Sequence, residues 1–160
     1  EVYVMVGDGS YLMMAQDMIS SIQEGYKLNI VVVDNHGFGS IGGLSESVGN
    51  ERFGTEYRYR DEASGFLKGD NLPVDLAANA ESLGAHVIRP EGRDGLIKAL
   101  TEAREIERTT VIVIEADREN MVPSYESWWD VPIAEVSEVE AVQKARKEYE
   151  EAREKERYFL

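Results

Sequence analysis

Two short apolar runs rich in β-branched residues, Val2–Val6 and Asn29–Val33, bracket a stretch with helical spacing. Runs of that length bounded by turn residues read as strands buried in a sheet. Between them Leu12, Ala15, Ile19 and Ile22 recur at helical intervals from Tyr11 to about Glu24, and Gly25 ends that helix. Strand, helix and strand packed this closely in sequence leave one common solution, a right-handed βαβ unit with parallel strands. The alternation resumes further along, with a helix over Pro73–Leu83, a strand over His86–Arg89, a helix from Leu96 to about Ile106 and a strand over Thr110–Glu115. This order predicts an α/β fold of three layers, helices on both faces of a mainly parallel sheet.

The two halves of that pattern are separated by residues 35–72, polar and dotted with glycine at positions 37, 39, 42, 43, 49, 54, 65 and 69. A stretch so long without strong periodicity reads as a functional loop system or lid, partly disordered until a ligand binds. The tail predicts a charged helix from Val139 to Tyr158, with an apolar stripe at Val142, Ala145, Tyr149 and Ala152. Ion pairs Glu140–Lys144 and Glu151–Lys155 would support it at i,i+4 spacing. The whole reads as one domain over 1–160, an α/β core at 1–136 and a C-terminal helix at 137–160. A start inside an apolar run, without Met, predicts a truncated domain from a longer polypeptide.

Composition removes several classes of function. The 17 basic residues are outnumbered by 31 acidic ones, a formal net charge of −14, so the chain is poorly suited to a nucleic-acid backbone. With no cysteine there is no disulfide and no thiolate chemistry, and cytoplasmic residence is the expectation. No apolar run approaches the roughly 20 residues of a membrane span.

Within this acidic chain one constellation suits an anionic ligand. Asp8 follows the first strand and Asn35 the second, with 26 residues between them. The carboxyl ends of parallel strands are where open α/β sheets bind ligands. A carboxylate and an amide oxygen facing each other there form a hard-oxygen pair suited to Mg²⁺, which completes its shell with phosphate and water. Gly7 and Gly9 permit positive φ and close approach of an anion. Ser10 stands at the start of the next helix, where free N–H groups favour a phosphate. A second reading of the same residues remains open: Gly7-Asp8-Gly9-Ser10 as a tight capped turn, and Asn35 as a turn residue.

The stretch Val4-Met5-Val6-Gly7-Asp8-Gly9-Ser10, followed by Val32-Val33-Asp34-Asn35-His36-Gly37-Phe38-Gly39, resembles the cofactor motif of the thiamine diphosphate-dependent enzymes. Arg52-Phe53-Gly54-Thr55-Glu56-Tyr57-Arg58-Tyr59-Arg60, Leu72 to Ala80, Glu81 to His86 and Trp128 to Ser137 are similar to the branch of that family that works in myo-inositol catabolism. The resemblance implies the diphosphate-binding domain of an enzyme that cleaves a carbon–carbon bond of a cyclic polyol dione. It implies thiamine diphosphate and Mg²⁺ as cofactors. Asp8, the Asn35 side chain and the Gly37 carbonyl would be metal ligands, and Gly7, Gly9 and Ser10 would lie at the diphosphate. It further implies a homodimer or homotetramer, with the activating glutamate in another domain, so that this chain holds no catalytic residue of its own and is inactive alone. Two rival readings are a decarboxylase or acetohydroxyacid synthase-like enzyme, and a non-catalytic Rossmann-like binding domain. A nicotinamide site is disfavoured because the third spaced glycine of that fingerprint is missing.

Other candidates have a bland reading beside the functional one. His36 is either a loop histidine or a group reaching substrate, and His86 reads as structural. Met13 and Met14 read as core, with a cofactor contact as the alternative. Trp128 and Trp129, after Pro123, suggest a sealed interface or core edge. Tyr57 and Tyr59, alternating with charges, suggest an edge strand or loop over the site. Glu115 and Asp117 are strand-end carboxylates or members of a solvated turn.

Overall fold

The computed structural model describes residues 1–120, 122 and 128–157. Strands β1 (Val2–Gly7), β2 (Leu28–Asp34), β3 (His86–Ile88) and β4 (Thr110–Glu115) form one parallel sheet in the order β1-β2-β4-β3. Gly7 lies opposite Val33, and Asp34 opposite Glu115, so three strands finish nearly level. Helices α1 (Asp8–Met14), α2 (Asp17–Gln23) and α4 (Leu76–Ser82) supply one face; α5 (Gly92–Glu105) supplies the other. Helix α3 (Gly39–Ser47) follows the β2 end, and α6 (Glu140–Arg153) closes the described chain.

Alternation along β2 and β4 divides the core in two. Ile30, Val32 and Val111 meet Tyr11, Met18, Leu76 and Ala80, while Val31 and Ile112 meet Ala99 and Ala103. Each fully buried Val or Ile contributes about 1.5–3 kcal/mol against exposure, so the two central strands anchor the fold.

β1 departs from the buried strand the sequence suggests. It is a sheet edge, and α5 flanks its second face only beside Tyr3, leaving Tyr3 at 48% and Met5 at 79% exposed. The single helix expected at 11–24 is two. Tight i→i+3 bonds, Met18 N–H to Ala15 O and Ile19 N–H to Gln16 O, mark the interruption between them. The buried face is therefore Tyr11, Ala15 and Met18; Leu12, Ile19 and Ile22 are exposed, as are Met13 and Met14. In the glycine-rich region, α3 occupies residues whose sequence predicts loop.

The tail helix runs over Glu140–Arg153, shorter than expected; Tyr158, like Pro123, lies outside the described residues. Val142 and Tyr149 of its apolar stripe are buried. Among the described residues its i,i+4 ion pairs are Lys144–Glu148 and Arg146–Glu150 rather than those expected.

Helix α4 begins later than Pro73 because Asp75 is its N-cap, accepting the Ala78 N–H at 2.9 Å and pairing with Arg89 at 2.8 Å. Those contacts hold its carboxyl below the usual range, the Ala78 N–H first and Arg89 next. Asp75→Ala is expected to cost about 1 kcal/mol, or about 2–4 °C in Tm for a domain of this size. A thermal melt with an unchanged midpoint would contradict this.

Candidate functional site

Asp8 is the first residue of α1, directly after the strand-end Gly7, and is 1% exposed. Its position sets a carboxylate at the junction of sheet and helix, where backbone N–H groups lack intrahelical partners. The Gly37 N–H donates to Asp8 Oδ2 at 2.6 Å, linking the end of β1 to the loop after β2. Neither Gly7 nor Gly9 uses positive φ, contrary to the sequence reading: Gly7 is extended at φ −75° and Gly9 is helical. Gly9 lacks a side chain for another reason. A Cβ there would stand 2.6 Å from the Phe38 ring.

Asn35 joins Asp8 in the same space. One atom of its side-chain amide lies 3.2 Å from Asp8 Oδ1 and 2.8 Å from the Gly37 carbonyl oxygen. Turned one way, the amide nitrogen donates two hydrogen bonds there. Turned the other, it presents its oxygen, and three oxygens converge. Octahedral ligands on bonds of about 2.0–2.1 Å stand roughly 2.9 Å apart, so this spacing fits a small hard cation such as Mg²⁺. Gly39 leaves room for the amide, since a Cβ there would fall 2.8 Å from Asn35 Nδ2.

The charge around these oxygens favours a cation. Burial pushes the Asp8 carboxyl above its ordinary range; N–H groups of Gly37 and Gly9 pull it back, and neighbouring Asp34 raises it further. Asp34, the last residue of β2, is 8% exposed and accepts the His36 N–H at 3.0 Å. His36 takes a left-handed φ of 60°. Its ring lies between two carboxylates, Nδ1 3.5 Å from Asp34 Oδ1 and Nε2 3.5 Å from Glu115 Oε1. Glu115 thus joins the strand-end cluster, whereas Asp117 accepts the Glu119 N–H in a turn. His86 lies elsewhere, its N–H donating to Thr109 O and its ring 4.0 Å from Glu102.

Sequence reading missed how residues 52–58 complete this region. Phe38 N–H donates to Thr55 O at 2.7 Å, Tyr57 N–H donates to His36 O at 3.1 Å, and Gly37 pairs with Glu56 in an antiparallel bridge. Glu56 faces Arg52, Arg58 and Arg118, which tie the segment down; Arg52 also reaches Glu46 on α3 and Glu119 beyond β4. The alternation of Tyr57 and Tyr59 with charged residues did signal an extended segment here; Tyr59 is exposed, while Tyr57 turns inward. Trp128 and Trp129 are exposed and line an apolar groove beside Tyr149 of α6, away from the Asp8 residues.

Residues 1–114 match the family described as thiamine pyrophosphate enzyme, C-terminal TPP binding domain. This chain belongs to that family. It is 42% identical to a 3D-(3,5/4)-trihydroxycyclohexane-1,2-dione hydrolase of Bacillus cereus, over 91% of this chain and 22% of that protein. A hydrolase of the same name from Clostridium botulinum is also 42% identical, over 92% of this chain and 23% of its own length. The chain therefore spans under a quarter of these relatives. Among solved structures, benzoylformate decarboxylase from Polynucleobacter necessarius shares the fold at a TM-score of 0.56 and 25% identity, over 73% of this chain and 20% of that one. The expected α/β fold with a parallel sheet is thus observed, in a thiamine diphosphate-binding family. Among the described residues no helix is long and apolar enough to cross a membrane.

Proposed function

We propose that this chain is the diphosphate- and Mg²⁺-binding part of a thiamine diphosphate-dependent hydrolase. The complete enzyme would cleave a carbon–carbon bond of 3D-(3,5/4)-trihydroxycyclohexane-1,2-dione, giving a 5-deoxy-glucuronate in myo-inositol catabolism. The substrate rests on the 42% identity to hydrolases of that name over nearly the whole chain. The metal rests on one observation, the approach of one Asn35 amide atom to both Asp8 Oδ1 and the Gly37 carbonyl oxygen, at 3.2 Å and 2.8 Å, distances usual between neighbouring octahedral ligands.

In this reading Asp8, Asn35 and Gly37 hold the cation, and the cation offsets the paired negative charge of Asp8 and Asp34. Gly7 ends the strand so that Gly9 and Ser10, in the first turn of α1, stand where a diphosphate binds, the Ser10 N–H facing it while the Gly9 N–H serves the Asp8 carboxylate. Thiamine diphosphate, when bound, supplies an electron sink for carbon–carbon cleavage. This chain's share is binding and orientation. A partner subunit in a cytoplasmic homodimer or homotetramer completes the site with the activating glutamate, and the isolated chain has no turnover.

Calorimetric titration tests the reading on an enzyme of the relatives' full length carrying this segment. Thiamine diphosphate binds with Mg²⁺ and fails to bind in EDTA. Absence of binding to the folded enzyme in Mg²⁺ would overturn the assignment. Product analysis separates the hydrolase from a decarboxylase: the cyclic dione is opened, and a 2-oxo acid yields no CO₂.

A further inference from the structure

The Tyr57 hydroxyl is buried and has no hydrogen-bond partner among the described residues. Its backbone, by contrast, is fully tied. The Tyr57 N–H and carbonyl are both used, by His36 O and by the Leu72 N–H. Its ring meets Phe38 edge to face, with centroids 6.1 Å apart at 76°, and Phe38 in turn closes on Gly9. Phe38 thus links the Tyr57 ring to the first turn of α1, and the Asp8 and Asp34 carboxylates lie near enough to act on the Tyr57 hydroxyl. A native structure leaves few buried hydroxyls unsatisfied, and an exception calls for a ligand, an ion or a water.

We propose that Tyr57 belongs to the cofactor site, its hydroxyl donating a hydrogen bond to an acceptor oxygen there, on the diphosphate or on a water bound to the cation. This inference rests on the reading of Asp8, Asn35 and Gly37 given above. The surroundings select a neutral donor. Burial, together with the charges of Asp8 and Asp34, pushes the Tyr57 hydroxyl up to about 12, so it keeps its proton throughout the physiological range. An oxygen brought in with a cation finds a donor already placed, beside the acceptor carboxylates of Asp8 and Asp34. Tyr57 is thus a positioning residue held by the loop, outside the Gly-Asp-Gly-Ser and Asp-Asn-His-Gly segments.

Tyr57→Phe removes the hydroxyl and keeps the ring against Phe38. In the full-length enzyme the variant is expected to melt at or above the wild-type temperature without ligands, because an unsatisfied buried group is gone. Its Kd for thiamine diphosphate in Mg²⁺, measured by calorimetry, is expected to rise about tenfold, or about 1.4 kcal/mol. Titration with Mg²⁺ and inorganic pyrophosphate distinguishes the two acceptors. A diphosphate contact weakens pyrophosphate binding and spares Mg²⁺ alone; a contact to metal-bound water weakens both. Equal Kd values for wild type and variant, with wild type binding normally, would overturn the role of Tyr57 and leave the cofactor reading intact. Failure of wild type to bind would overturn both. A tyrosine perturbation in the ultraviolet difference spectrum on ligand binding, absent from Tyr57→Phe, provides a readout independent of affinity.

Discussion

Asp8→Asn is expected to abolish Mg²⁺-dependent binding of thiamine diphosphate and at the same time to make the ligand-free protein more stable. The first effect follows from charge. Asn keeps the size of the side chain and an oxygen for the Gly37 N–H, which now donates at 2.6 Å, but it removes the only carboxylate among the three converging oxygens. Loss of an ionic ligand from a site that binds a divalent cation is expected to weaken binding about 100-fold or more, roughly 2.7 kcal/mol. The second effect follows from burial. Asp8 is 1% exposed and lies beside the carboxylate of Asp34, and both conditions disfavour its charged form. A neutral isostere relieves that penalty, and a gain of roughly 1 kcal/mol would raise Tm by about 2–4 °C.

The pH dependence of that gain separates electrostatics from packing. The folded-state pKa of Asp8 lies above its unfolded value. Its contribution to stability is therefore fully present below the unfolded pKa and is lost as pH rises through the folded one. The Asn variant has no such titration. Its Tm advantage should be least in acid and greatest at neutral pH, and saturating Mg²⁺ should reverse it by stabilising wild type alone. A constant advantage across pH, or none, would mean that Asp8 is not strained by its charge.

The strands were legible because each is a short β-branched run ending at a turn residue, and β4 falls on Thr110–Glu115 as the sequence suggests. Asp8 and Asn35 were legible for the same reason, since a parallel pair brings equivalent strand ends together. The misreadings have local causes. Leu12, Ile19 and Ile22 share helical spacing with Tyr11, Ala15 and Met18, and periodicity alone does not choose between two apolar stripes. The break after Ala15 decides in favour of the second. Helix α3 contains Gly39, Gly42 and Gly43, which are poor helix formers. It forms where glycine permits close packing, for a Cβ on Gly42 would stand 2.8 Å from Thr55 Oγ1. Tyr57 and Glu56 reach the site by antiparallel pairing with residues 36–38, a long-range contact that leaves little trace in the local sequence.

That pairing makes Gly37 a position within the proposed site where substitution does severe damage. Its φ of 155° lies in the region open chiefly to glycine, and an added Cβ would stand 2.2 Å from Thr55 O and 2.9 Å from Glu56 Cα. Both obstacles are backbone, so no rotamer relieves them. Phe38 N–H donates to that same Thr55 oxygen, which means that moving the oxygen aside breaks the bond holding the loop against the β2 end. Gly37→Ala is expected to destabilise the protein by about 3 kcal/mol from strain and overpacking together, lowering Tm by about 6–12 °C. Because Gly37 also donates to Asp8 and offers its carbonyl beside Asn35, the damage is directed at the proposed cation site. Mg²⁺-dependent cofactor binding should be lost even at temperatures where circular dichroism shows the sheet intact. Gly54 provides the control: it has a positive φ of 73° with no atom within 4 Å of an added Cβ, so Gly54→Ala carries backbone strain of about 1–2 kcal/mol without the collision. If the two variants lost stability and binding equally, close approach at Gly37 would not be what builds the site.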